Sequence, residues 1–378
     1  MSPAAIDVMT AELALVGNPS SLHSAGRRAR KVVEQAREQV AAALGARPAD
    51  VVFTGGGTEA DNLAVLGLYR ARRAADPART IVVASAIEHH AVLDPVQALA
   101  DSESATVHWL GVDAQGRVDL DELQRLLQEF SSRIALVTVM AANNEVGSRQ
   151  PVSDVVAMCA AHGIPVHSDA VQAVAWDNFD FGASGLATVA VSAHKVGGPH
   201  GVGALLVSRD TTVAPVLFGG GQERNLRSGT LDAPGVAAFA TALAGAVANR
   251  AGNRDRVAAL RAQLVRAVTD VDPTAVLNGS SEGLPSIAHF SFPGCEGDAL
   301  LMLLDAAGVQ CSTGSACTAG VPEPSHVLLA MGASRSLAKA SLRFSLGVTS
   351  TIDDVDALAA ALPGVLERAR RAGQVVSA

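Results

Sequence analysis

The segment PVHSDAVQAVAWDNFDFGASGLATVAVSAHKVGGPHGVG, Pro165–Gly203, decides how the rest of the chain is read. It holds two short apolar runs, each ending in polar residues. Pro165-Val166-His167-Ser168-Asp169 closes on a carboxylate. Ala187-Thr188-Val189-Ala190-Val191 runs into Ser192-Ala193-His194-Lys195. β-Branched runs of this length predict buried strands. The turn Gly197-Gly198-Pro199 then halts any strand or helix, which leaves Lys195 at a strand end. A lone lysine beside an apolar run snorkels to solvent. Lys195 is not alone: a buried-looking Asp169 precedes it, Ser192 and His194 adjoin it, and glycines follow.

That grouping suits a lysine that holds a carbonyl cofactor as a Schiff base. A free lysine has a pKa of ~10.4 and is mostly an inert cation at neutral pH. Held as an imine to pyridoxal phosphate, it anchors the cofactor and becomes a base once a substrate amine displaces it. The ring withdraws electrons if its nitrogen stays protonated, and a carboxylate partner ensures this. Asp169 is the candidate, with Gln172 placed to hydrogen-bond the ring hydroxyl.

Upstream, Val51-Val52-Phe53-Thr54 reads as a strand that runs into Gly55-Gly56-Gly57-Thr58 and a helix from Asp61 to about Arg73. A strand, a glycine turn and a helix start present bare N–H groups to an anion. Gly57 and Thr58 are therefore candidates to hold the cofactor phosphate, with Ser192 and His194 completing the cup. An amphipathic helix is expected over Ser24–Leu44. Strands are expected at Ile81–Ala84, Thr106–Val112, Ile134–Met140 and Gly201–Ser208, alternating with helices. This predicts an α/β fold with a mixed, mostly parallel seven-stranded sheet flanked by helices, and ligands at the strand carboxyl ends. His89, Asn144, Asp169 and Lys195 all follow strand runs. One of His89 and His90 is expected to lie on the cofactor ring and pass protons.

After the charged stretch Arg250–Arg256 a smaller α/β domain is expected, with strands at Ser286–Phe292, near Val309–Cys311 and at Ser341–Leu346. The predicted division is 17–250 for the large cofactor-binding domain, and 1–16 with 251–378 for the small domain. Within the latter, Ser312-Thr313-Gly314-Ser315-Ala316-Cys317-Thr318 is small, polar and without packing periodicity. Cys317 lies mid-segment, where burial is not its obvious purpose, and an unperturbed thiol of pKa ~8.5 needs local activation. From Ser312 the chain extends at most ~17 Å to Cys317. Cys311 reads as structural. Arg343, on the otherwise apolar Ser341-Leu342-Arg343-Phe344-Ser345, suits a bidentate carboxylate clamp.

Composition narrows the function classes. The 378 residues are 49% hydrophobic and 17% charged, which makes the chain globular. A net charge of −8, no basic run, two Trp and one Tyr argue against direct nucleic-acid binding. The N-terminus has no basic n-region, and no stretch of 18 apolar residues suggests a membrane span. Four unevenly spaced cysteines form no CxxC pair, so no zinc site is expected, and reduced thiols point to a cytoplasmic protein.

Taken together, these residues resemble the class I cysteine desulfurases, pyridoxal-phosphate enzymes of the fold type I aminotransferase architecture. The matching stretches are Gly57-Thr58-Glu59-Ala60-Asp61-Asn62, Glu88-His89-His90, Asn143-Asn144-Glu145-Val146-Gly147, His167-Ser168-Asp169-Ala170-Val171-Gln172, Ser192-Ala193-His194-Lys195, Arg227-Ser228-Gly229-Thr230, the segment around Cys317, and Leu342-Arg343-Phe344-Ser345-Leu346-Gly347. They run in family order from about residue 17 to 350. The resemblance implies that Lys195 carries the cofactor and removes the Cα proton of L-cysteine. Asp169 pairs the ring nitrogen, Gln172 and Asn144 contact the hydroxyl side, and His89 stacks on the ring. Thr58, Ser192 and His194 bind phosphate, joined by Thr230 from the other subunit of a homodimer. Arg343 takes the substrate carboxylate. Cys317 attacks the substrate sulfur, becomes a persulfide, and passes sulfur to acceptor proteins such as an iron–sulfur scaffold, or toward thiolated molecules. Relatives usually begin with a strand and an Ala-Thr-Thr-Pro-like segment, which Met1-Ser2-Pro3 is expected to have passed. The rival readings are a selenocysteine lyase or other enzyme of the same cofactor, and a non-catalytic scaffold of the same fold.

Overall fold

The computed structural model describes residues 1–314 and 323–376. It divides into two compact units: Met1–Leu110, Asp119–Ala141 and Gln150–Arg250 form the first, and Gly111–Val118, Ala142–Arg149 and Ala251–Ala378 the second.

In the first unit the chain runs α1 (Pro3–Leu13), α2 (Ser24–Ala43), β1 (Val51–Thr54), α3 (Gly57–Ala75), β2 (Ile81–Ser85), α4 (His90–Glu103), β3 (Thr106–Leu110), α5 (Leu120–Phe130), β4 (Ile134–Thr138), α6 (Val152–Ala160), β5 (Val166–Asp169), α7 (Phe181–Ser184), β6 (Thr188–Ser192), β7 (Gly203–Val207) and α8 (Ala233–Ala248). Among the described residues its strands form one seven-stranded sheet in the order β1-β7-β6-β5-β4-β2-β3. β3, β2, β4, β5 and β6 pair in parallel, while β7 runs antiparallel to both β6 and β1. The mixed, mostly parallel sheet expected from strand–helix alternation is present. Its inner strands are buried throughout because helices cover both faces, and only the edge strand β3 shows exposed positions. Leu63, Leu68 and Tyr69 of α3 and Val92 and Val96 of α4 join Val82, Leu136, Ala190 and Leu205 of the sheet in one core. α2 buries Ala29, Val33, Ala36 and Val40 on one face, as its periodicity predicts.

The second unit contains most of α9 (Arg250–Val271), then β8 (Val276–Asn278), β9 (Ile287–Ser291), α10 (Gly297–Ala306), α11 (His326–Ala330), α12 (Arg335–Lys339), β10 (Ser341–Ser345) and α13 (Ile352–Val376). Its strands form an antiparallel sheet ordered β10-β9-β8.

Four expectations are corrected. Residues 1–16 fall in the first unit, not the second, because α1 packs on α8 and Ser2 N–H bonds the Gly197 carbonyl at 2.8 Å. Two short stretches, 111–118 and 142–149, join the second unit, so Asn144 lies there. α3 begins at Gly57 rather than Asp61, which makes the glycine turn itself the helix start. No strand forms at Val309–Cys311; Ser312 makes an isolated bridge with Arg343 instead.

Candidate active site

β5 and β6 lie side by side in parallel, with Asp169 in register with Ala190, so their carboxyl ends open in the same direction. β6 ends at Ser192 and passes into a short 3₁₀ turn, Ala193–Val196, which carries His194 and Lys195. Gly197, at φ 85°, closes that turn by donating to the Ala193 carbonyl. Lys195 is therefore held on a rigid corner just past the end of β6, where it is exposed. Asp169 is buried, and its Oδ1 accepts a 2.8 Å hydrogen bond from the Val171 N–H. Burial, then the nearby Asp61, push its carboxyl up to about 8; the Val171 N–H, His167 and the Lys195 charge oppose this. A carboxyl held this way suits a cationic ring nitrogen, which would restore its ionised form.

The turn between β1 and α3 makes the second element. Gly56 sits at φ 148° and caps α3 without a side-chain hydrogen bond, so the first N–H groups of α3 are left for an outside acceptor. A Cβ at Gly57 would come within 3.0 Å of Val171 Cγ2 and 3.4 Å of Ser192 Cβ, so only glycine leaves this cradle open. Ser192 is buried at the cradle's wall, and its hydroxyl lies 2.8 Å from His194 Nδ1. The His194 pKa is lowered by burial, then by Lys195 and His200. Thr58 is exposed in the first turn of α3. Uncapped N–H groups, a hydroxyl, an imidazole and a lysine beside a buried aspartate match the chemistry of pyridoxal phosphate at both its phosphate and its ring nitrogen.

His89 caps α4: its Nδ1 accepts from the Ala91 N–H at 3.1 Å, which leaves the proton on Nε2. Next to it Glu88 is fully buried and accepts from the Met140 N–H at 2.6 Å. Gln172 lies in the turn after β5, half-buried. Thr230 is exposed beside Gly229, in a loop tied to the start of α3 by Arg227, whose Nε donates to Glu59 at 2.8 Å. Glu59 in turn accepts from the Gly55 N–H at 2.7 Å.

The structure adds a layer that single-residue reading missed. His167, two residues before Asp169 and so on the same strand face, is wholly buried. Its Nδ1 lies 2.9 Å from Thr188 Oγ1 and its Nε2 3.2 Å from Asp61 Oδ1. Burial is the largest cause at both partners, raising Asp61 and lowering His167 to about 4, so in each the uncharged form is favoured over its ordinary balance. The i, i+2 spacing of His167 and Asp169 was the available signal; the partner on α3 was not.

Asn144 and Arg343 belong to the second unit, where Arg343 Nη1 donates to the Asn144 carbonyl at 2.9 Å. Cys311 is half-buried there and its thiol is pushed up to about 11 by burial, then by Asp305, which fits a structural role. Cys317 lies outside the described residues.

The aminotransferase class-V family model matches residues 2–358. The chain belongs to this family. It is 53% identical over 374 residues to an IscS-like cysteine desulfurase of Mycobacterium tuberculosis, covering 98% of this chain and 95% of the relative. It is 37% identical to a cysteine desulfurase IscS of Clostridium botulinum, covering 94% and 88%. Among solved structures, a NifS-like protein superposes with a TM-score of 0.89 at 33% identity, over 97% of this chain and 96% of the other. DndA of Streptomyces lividans gives 0.76 at 34%, over 91% and 95%. These relatives place the chain in the cysteine desulfurase branch of a family that uses pyridoxal phosphate.

Proposed function

We propose that this pyridoxal-phosphate-dependent cysteine desulfurase converts L-cysteine to L-alanine and stores the sulfur as a persulfide on Cys317. The observation that carries the reading is the placement of Lys195 near enough to the buried Asp169 for its charge to act on that carboxyl, beside an uncapped glycine helix start. In this reading Lys195 holds the cofactor aldehyde and Asp169 its ring nitrogen. Gln172 and Asn144 take the hydroxyl side, and His89 takes the ring face. Gly57, Thr58, Ser192 and His194 hold the phosphate, with Thr230 supplied by a second copy of the chain. When bound, the cofactor withdraws electrons from the substrate, which acidifies the Cα proton and weakens the Cβ–S bond.

The remaining work falls to the protein. Arg343 binds the substrate carboxylate through charge-assisted hydrogen bonds, which fixes the amino acid's orientation. Lys195 takes the Cα proton on its free amine, and the Nε2–H of His89 serves as a proton donor at the ring face. The Cys317 thiolate attacks the substrate sulfur: the S–S bond forms, the Cβ–S bond breaks, and its electron pair stays with carbon, which is protonated and leaves in alanine. Sulfur then passes from Cys317 to acceptor proteins that serve iron–sulfur cluster assembly or thiolation of tRNA and cofactors. We place this work in the cytoplasm. Among the described residues no helix is long and apolar enough to cross a membrane.

The test adds L-cysteine to the purified protein and follows alanine together with protein mass. The expected result is one alanine per added sulfur atom, with the extra mass on Cys317. Cys317→Ala should lose the added mass and keep the cofactor colour. Unchanged sulfur release in that variant, or colour lost with it, overturns the assignment.

A further inference from the structure

Pyridoxal phosphate carries its phosphate arm and its ring nitrogen on one rigid ring, at a span set by covalent bonds. In the reading above, the two ends are taken by different elements of the first unit. The start of α3, at Gly57 and Thr58, takes the phosphate, and the end of β5, at Asp169, takes the ring nitrogen. One element has to be fixed against the other. Apolar packing does this poorly. Leu63, Leu68 and Tyr69 seat α3 in the core. Hydrophobic contact is non-directional, however, so it sets closeness rather than register along the helix axis. Nearer the cradle α3 buries only the small Gly57 and Ala60 before Asp61.

Asp61 supplies the direction. It stands about one turn beyond Gly57 and is 1% exposed. Its Oδ1 lies 3.2 Å from His167 Nε2, and His167 Nδ1 lies 2.9 Å from Thr188 Oγ1. His167 shares a face of β5 with Asp169, two residues on. Thr188 is in register with His167 and begins β6, the strand that ends at Ser192 and turns into His194 and Lys195. One wholly buried imidazole thus ties three elements together: the helix that starts at the cradle, the strand that ends at the carboxyl, and the strand that leads to the lysine. A hydrogen bond keeps its heavy atoms within about 2.7–3.2 Å and weakens steeply when misaligned, so the tie fixes register as well as contact. The ring is out of water, so neither bond can be exchanged for one to solvent.

We propose that Asp61, His167 and Thr188 are positioning residues that set the spacing between the phosphate cradle and the ring-nitrogen carboxyl. Each half of the site binds its own fragment without them. They let both halves meet one rigid molecule at once, which is the advantage of two linked contacts over two separate ones. The inference rests on the reading of this site as the one that holds pyridoxal phosphate.

The experiment titrates the cofactor-free full chain with pyridoxal phosphate and with pyridoxal, which lacks the phosphate, and measures inorganic phosphate as a competitor. Asp61→Leu takes the partner from His167 Nε2. Thr188→Val keeps the shape of threonine, takes the hydroxyl from Nδ1, and decides the test where Asp61→Leu does not fold. Both should weaken pyridoxal phosphate at least about tenfold, since a misplacement of ~1 Å costs ~100-fold in a well-oriented site. Pyridoxal and inorganic phosphate should bind as they do to the unaltered protein. Asp61→Asn puts an uncharged donor and acceptor where burial already favours the uncharged acid, and should restore pyridoxal phosphate affinity. Equal losses for all three ligands overturn the proposal, as does no loss of pyridoxal phosphate or no rescue by Asp61→Asn. Asp169→Asn separates the two readings, because it should weaken pyridoxal phosphate and pyridoxal alike. If it weakens neither, the site assignment falls and the spacing role with it. If it weakens both while Asp61→Leu and Thr188→Val change nothing, the spacing role alone falls.

Discussion

Acid should loosen the first unit through His167. The imidazole is wholly buried between Thr188 on β6 and Asp61 on α3. Burial, the largest cause, pushes its pKa down from 6.5 to about 4, against the pull of Asp169 and the Thr188 backbone. In the unfolded chain the same group titrates near ~6.5. Between those values the unfolded state binds the proton and the folded state refuses it, so stability rises with pH across the window. The stabilisation is complete above the unfolded value and is lost as pH falls toward 4. At about 1.4 kcal/mol per pH unit, the window amounts to roughly 3 kcal/mol. Both tryptophans of the chain, Trp109 and Trp176, lie in the first unit, so urea unfolding followed by their emission reports that unit selectively. His167→Asn removes the titrating group while keeping a polar side chain between Thr188 and Asp61. Between pH 7 and pH 4 the unaltered protein should lose about 3 kcal/mol more than the variant. Parallel pH curves for the two proteins would refute the argument, whatever their absolute stabilities.

Three other outcomes follow from the same geometry. Glu223 accepts from Arg37 Nη1 and Nη2 at 2.8 and 2.6 Å and from the Phe53 N–H at 2.8 Å, all out of water. Glu223→Gln leaves the Arg37 cation buried and should destabilise the first unit by ~3–5 kcal/mol in the same tryptophan-monitored titration. Gly57→Val fills the cradle against Val171 and Ser192, and should weaken pyridoxal phosphate at least about tenfold in a spectral titration while circular dichroism stays unchanged. Arg343→Ala should raise KM for L-cysteine by ~10- to 100-fold with a smaller change in kcat, since each charged hydrogen bond contributes ~1.5–3 kcal/mol. Arg343→Lys should recover only part of it, because an ammonium lacks the planar fork.

Much of this was legible in the chain because the signals were local. Apolar runs ending in Asp169 and Lys195, and the glycine turn at Gly55–Gly57, need no knowledge of distant residues: strand burial and backbone sterics place them at strand ends and helix starts. What escaped reading depended on partners far along the chain. α1 was unread as a helix because its few buried contacts come from α8, more than two hundred residues away. The supposed strand at Val309–Cys311 has the apolar composition of one, but pairing begins only at Ser312, where Arg343 supplies the backbone partner. Glu145 read as one letter of a motif, and only the fold sets it against Ser325.

From composition and order alone came the alternation of strands and helices, the candidate lysine, aspartate and thiol, and the family resemblance, since each rests on short-range periodicity or on residue identity. Tertiary structure decided which carboxyls lie out of water, which helix start is left uncapped, and that Asp61 backs His167 while Glu145 and His289 meet Gly314. The reason is that burial and hydrogen-bond partnership are properties of neighbours in space. A side chain's charge state follows those neighbours, and they are set only once distant segments have packed.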